Sequence, residues 1–213
     1  LEISFYNEFK RKAIHLFALC IPIGYFFLPK LLSLLILAPF VLGAIIIDVI
    51  RLRRLPLHGF LNQLLGPVLR EHESADFAGS SYILSASFFT ILLFEKSVAV
   101  TAISFIILGD ISAALIGRRF GKTKIRWSLV ENNDGNSWKS LEGSLSCLFM
   151  CLLVALVVSH LPSDNGLGEP LHLWVGIVGA FVATVVEGII LPINDNFSVP
   201  LLSGLVMHIL LQM

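Results

Sequence analysis

The chain has 213 residues, 56% of them hydrophobic and only 14% charged, with a mean hydropathy of +0.86 and a formal net charge of zero. Such a composition excludes an ordinary soluble domain and gives no excess of positive charge for a nucleic-acid partner; it is that of an integral membrane protein. At this length the economical reading is an all-α, polytopic bundle forming one membrane-embedded domain over residues 1–213.

Seven apolar runs, at about 13–29, 31–50, 77–94, 97–117, 143–161, 171–191 and 197–213, approach the roughly 20 residues a helix needs to cross a bilayer. The chain begins at Leu1 rather than Met, which points to a removed N-terminal piece, and nothing resembles a cleavable signal peptide. Cys20, Cys147 and Cys151 fall inside apolar runs, so small apolar packing is expected of them rather than a disulfide framework.

Ahead of the first run, Glu8, Arg11, Lys12 and His15 recur three or four residues apart and share one helix face. Snorkelling cations paired with Glu8 explain three of them; His15, inside the apolar run, fits that account less well. At the end of the second run Asp48 precedes Arg51 by three residues. The spacing suits a local ion pair, and alternatively a metal ligand or a base. Leu57, Phe60, Leu61, Leu64 and Val68 then recur at helical spacing, as in a helix lying in the interface.

The fourth run holds the most informative residue. Asp110 stands within apolar sequence, where a carboxylate costs about 2.5–3.5 kcal/mol on insertion scales and usually serves a polar cavity. Gly109, Ala113 and Gly117 make a small-residue seam beside it, and Arg118, Gly121 and Lys122 follow in a basic turn. The Gly117–Lys122 stretch superficially looks like a P-loop, but it has three residues between its glycines instead of four and follows a helix instead of a strand. The fifth run opens with Lys139, Ser140, Glu142, Gly143 and Ser144, where free backbone N–H groups at a helix start can cradle phosphate. Ser140 can equally cap that helix, and Glu142 suits either the dipole or a metal. Glu187, in the sixth run, shares a face with Ala180 and Ala183, so it should point inward and need a partner such as Arg118 or a bound cation. Asp195 and Asn196 suit metal or ribose, or simply a turn.

Thirteen of the fifteen Lys and Arg residues fall before the first run or in the loops after the second and fourth; Lys30 and Lys96 are alone on the other side. The N-terminus and the polar cluster should therefore face the cytoplasm. A one-sided cluster of carboxylates and cations favours an enzyme over a channel or carrier, and suits a divalent metal with a triphosphate acting on a lipid.

These residues resemble the polyprenol kinase family, which comprises dolichol, phytol and farnesol kinases and CTP-dependent diacylglycerol kinases. The resemblance is carried by Gly109-Asp110, Ala113-Ala114, Gly117-Arg118 and Phe120-Gly121-Lys122, then Lys139-Ser140, Glu142-Gly143-Ser144, Glu187, Asp195-Asn196 and Val199-Pro200-Leu201. It implies transfer of a γ-phosphoryl group, characteristically from CTP, to a lipid alcohol. On that basis Asp110 and Asp195 are expected to hold Mg²⁺, while Lys139 and the Ser140–Ser144 backbone hold phosphates. Arg11, Lys12, Gly117, Gly121, Lys122, Glu142 and Asn196 would join them around the nucleotide, with Arg118 and Lys122 neutralising transition-state charge. The proton acceptor is open among Asp48, His15 and Glu187. Where many relatives carry an acid before the Asp-Asn pair this chain has Asn194, which shifts weight onto Asp110, Asp48 and Glu187. The expected site faces the cytoplasm, at an endoplasmic-reticulum or plastid membrane in a eukaryote or the inner membrane in a prokaryote. The alternatives are a phosphatidate cytidylyltransferase-type enzyme and a non-enzymatic lipid transporter.

Overall fold

The structure is a computed structural model and describes residues 15–65, 76–125, 139–161, 170–189 and 193–213. Within them the helices are α1 (Cys20–Phe27), α2 (Lys30–Leu52), α3 (His58–Leu65), α4 (Gly79–Leu93), α5 (Lys96–Phe120), α6 (Leu141–Ser159), α7 (Leu173–Gly188) and α8 (Asp195–Leu211). A turn at Ala18 and Leu19 joins α1 to a short helical stretch at His15–Phe17. Between α5 and α6 the two-residue strands β1 (Lys124–Ile125) and β2 (Lys139–Ser140) pair antiparallel, a small departure from the all-α expectation.

The exterior is apolar as well as the core, unlike that of a soluble protein. Phe17, Phe27, Leu31 and Phe40 are largely exposed, whereas Asp48, Arg51 and Glu187 are buried. An apolar exterior over buried charge is consistent with an all-α membrane protein. Among the described residues three helices, α2, α5 and α6, are long and apolar enough to cross a bilayer. His15–Phe27, α4, α7 and α8 are apolar but shorter, so the number of crossings stays an expectation.

The central element is α5. From Ser97 to Ile107 every residue is buried, the mark of a helix enclosed on all sides. It packs against α1, α4, α6, α7 and α8. The α5–α6 approach is close because glycines form it: a Cβ on Gly143 would lie 2.9 Å from the Ala113 carbonyl, and one on Gly109 2.9 Å from Cys147 Sγ. By contrast α2 packs on α4, and the two run antiparallel, tied at one end by Asp48 to Ala78 N–H and at the other by Lys30 to the Phe94 carbonyl.

Candidate active site

Two polar groupings lie near each other, one around Asp110 of α5 and one around Lys139 of β2. In the first, Asp110 projects from α5 toward His15, with His15 Nε2 3.5 Å from Asp110 Oδ2. Both line a cavity of about 670 Å³, which Asp48 and Asn196 also reach. Asp48 is engaged on both oxygens. Arg51 Nη2 donates to Oδ1 at 3.0 Å, and the Ala78 N–H donates to Oδ2 at 3.0 Å. It is 1% exposed and Arg51 4%, so this is a buried ion pair that also satisfies the N-terminus of α4. Arg51 reaches the Asp76 carbonyl as well.

The second grouping centres on Lys139. Its Nζ donates to Glu187 Oε1 at 2.9 Å and to Asp195 Oδ2 at 3.0 Å, and also to the Glu187 carbonyl. Burial alone would lower the Lys139 pKa, but the charges of Asp195 and Glu187 more than offset that and hold it above the ordinary lysine value. The β1–β2 pairing fixes where this lysine stands, immediately before Ser140 caps α6 by accepting the Gly143 N–H at 3.2 Å. Glu187 is therefore inward-pointing, and its partner is Lys139 rather than Arg118. Its second oxygen, Oε2, is buried with no hydrogen-bond partner among the described residues. Asp195 and Asp110 both lie near enough for their charges to act on Glu187, which links the two groupings.

Asn194 Oδ1 accepts the Asn196 N–H at 3.0 Å and caps α8, so the residue at the departure point is a helix cap. The Asn196 side chain donates to the Gly79 carbonyl at 3.3 Å, joining α8 to the start of α4. Arg118 lies exposed in the last turn of α5. Glu142 Oε1 accepts the N–H groups of Lys122 and Thr123, both at 3.1 Å, so it closes the basic turn. Ser140 Oγ would lie 2.8 Å from a Cβ on Gly117 and 2.7 Å from one on Gly121, so both glycines are needed where that turn meets α6. Ser144 is half-buried beside Gly188, its Oγ without a partner among the described residues. Glu8, Arg11 and Lys12 lie outside the described residues.

Sequence reasoning missed the Lys139 carboxylate cage and the start of α4, where Gly79, Ser80 and Ser81 line the cavity. The run of small residues after Asp76 was the available signal. Among the described residues no cluster of three or more His, Cys, Asp or Glu is arranged to hold a metal. The orphaned Glu187 oxygen, with Asp195 and Asp110 nearby, nonetheless offers the carboxylate oxygens that magnesium accepts alongside phosphate and water.

No family model matches the chain, and no solved structure matches it. An uncharacterised protein of Rickettsia prowazekii is 29% identical over 91% of this chain and 90% of its own length. CTP-dependent diacylglycerol kinase 1 of Eremothecium gossypii is 27% identical over 80% of this chain and 57% of its own length. A probable chloroplastic phytol kinase of Glycine max is 31% identical over 65% of this chain and 46% of its own. The chain thus spans about half the length of these two curated kinases. Homologues named as CTP-dependent diacylglycerol kinases and phytol kinases, at modest identity over most of the chain, support its assignment to the polyprenol kinase family of lipid kinases.

Proposed function

We propose that the chain is a lipid-alcohol kinase that transfers the γ-phosphoryl group of CTP to a primary hydroxyl at the cytoplasmic membrane face. The observation that carries this reading is the meeting of an apolar cavity, ended by His15 and Asp110, with the Lys139–Glu187–Asp195 cage. One grouping suits a hydroxyl on a greasy body and the other suits charged phosphates. The donor is taken as CTP from the names of the diacylglycerol kinase relatives. The sidedness rests on the Lys and Arg distribution.

Phosphoryl transfer needs alignment and charge neutralisation more than covalent help. Lys139 and its two carboxylates together carry a net negative charge, so the cage receives phosphates with a divalent cation, beside the α6 N-terminus whose dipole favours phosphate. Arg118 and Lys122 add positive charge at the end of α5 and the turn after it. His15 accepts the hydroxyl proton, with Asp110 orienting the ring and stabilising the imidazolium. Asp48 is better suited to holding α2 on α4, because both its oxygens are committed. Asp110 and Asp195 are the residues that would hold a magnesium ion, with phosphate and water completing its shell, and the ion would supply charge neutralisation for the phosphates.

Purified protein in detergent with Mg²⁺ and CTP labelled at the γ- or the α-phosphate tests the reading across a panel of lipid alcohols and phosphatidate. The kinase predicts γ-label in an alcohol with CDP released. Label from the α-position in phosphatidate product, with pyrophosphate released, would replace it with a cytidylyltransferase.

A further inference from the structure

The cavity is a slot bounded by α1, α2 and α4, and its polarity is graded along its length. His15, Asp48, Asp110 and Asn196 gather at one end. Along the walls the lining is aliphatic and aromatic, and the one hydroxyl on the α2 wall, Ser33, donates to its own Pro29 carbonyl at 3.2 Å. Tyr25 stands toward the far end, with Lys96 Nζ 5.4 Å from its ring centre. On α2 the lining runs from Asp48 to Ser33, and on α4 from Ala78 to Ile91. At about 1.5 Å per residue each wall is roughly 20 Å long, longer than one leaflet's share, about 15 Å, of the hydrocarbon core. Phe17, Cys20 and Phe40 line the slot and are exposed on the apolar exterior, so its mouth opens sideways onto lipid rather than into water.

We propose that this slot is the acceptor site and takes the hydrocarbon part of a lipid primary alcohol, which slides in from the bilayer with its hydroxyl at His15 and Asp110. The slot's volume of about 670 Å³ and its length of some 20 Å leave room for a branched or an unbranched hydrocarbon chain. Gly24 sets the bore on the α1 side: it lines the slot, and a Cβ added there meets nothing within 4 Å. Chain length and branching are thereby read by the α1 and α2 walls, far from the phosphates.

This inference rests on the kinase reading for its chemistry but is tested apart from it. A sixteen-carbon primary alcohol with a diazirine near its tail end is photolysed with the protein in nanodiscs, without nucleotide, and the labelled peptides are mapped. Label is expected on α1, α2 and α4, and at least tenfold less of it in Gly24→Phe, which fills the slot while improving helix propensity. Ala44→Phe narrows the slot from the α2 side and gives the same reading if Gly24→Phe does not accumulate. Competition by a twenty-carbon prenol or by a diacylglycerol identifies the source of the chain, and either supports the site. Label spread over the outer faces of α6 and α7, indifferent to both variants, overturns it even if the kinase assay succeeds. Slot labelling with no phosphate transfer overturns the kinase reading and leaves the slot standing.

Discussion

Lys139→Met removes the cation that holds two carboxylates together. Glu187, with a side chain 8% exposed, and Asp195, with one 33% exposed, would be left close together with no lysine between them. Breaking a buried pair by deleting one partner costs about 3–5 kcal/mol. The lower end applies here, about 3 kcal/mol, because Lys139 is itself 24% exposed and Asp195 reaches solvent. Adding Glu187→Gln to Lys139→Met removes the stranded buried charge and should recover about 2 kcal/mol, a coupling typical of residues in direct contact. The sign with pH follows from the raised Lys139 pKa: its contribution is complete below the unfolded lysine value, about 10.4, and is lost only as pH rises through the higher folded value. The gap between wild type and Lys139→Met should therefore be constant from pH 7 to 9. Reversible unfolding in mixed micelles measures all three proteins. A single variant within 1 kcal/mol of wild type, or a double variant no better than the single, would refute the cage as a mutually dependent unit.

Asp48→Ala should destabilise by about 3–5 kcal/mol, since it removes the buried carboxylate that faces Arg51, whereas Asp48→Leu with Arg51→Met should be nearly neutral by the same unfolding measurement. The double variant should keep turnover per folded molecule, which a catalytic Asp48 could not allow. Gly143→Ala places a methyl group against the Ala113 carbonyl and should cost about 1–3 kcal/mol. Gly24→Ala meets open space and should be neutral or stabilising by up to about 1 kcal/mol in the same assay. Glu142→Ala releases the Lys122 and Thr123 N–H groups and should speed tryptic cleavage after Lys122 and Lys124; unchanged cleavage would show that the turn is held by other contacts.

What could be read from the sequence was local. Each of the seven apolar runs contains an apolar helix, because hydrophobic runs and the capping chemistry of Ser140 act within a few residues. The inward direction of Glu187 followed from the small residues one and two turns before it. Its partner did not, since Lys139 is 48 residues away in sequence and 56 from Asp195, and helical spacing carries no information at that range. Asp48 shows the limit more sharply. Its i, i+3 pairing with Arg51 was legible, but its role at the start of α4 depends on a backbone N–H 30 residues on. The glycines that imitate a P-loop turned out to serve the approach of the basic turn to Ser140, a contact held by the β1–β2 pairing and by Glu142. The slot was invisible for the same reason: its walls come from three helices whose apolar residues look alike until they are set around an empty space.

The central claim is that Asp110 and His15 handle a lipid hydroxyl beside a phosphate-binding cage. Its most direct test is transfer of γ-label from CTP to a lipid alcohol by wild type and Asp110→Asn, with photolabelling of the slot followed in parallel. The account predicts labelled lipid from wild type alone, at least a thousandfold above the variant, roughly the scale of losing an electrostatic catalytic group, with both proteins folded and both slots labelled. Equal transfer by the two proteins would contradict it.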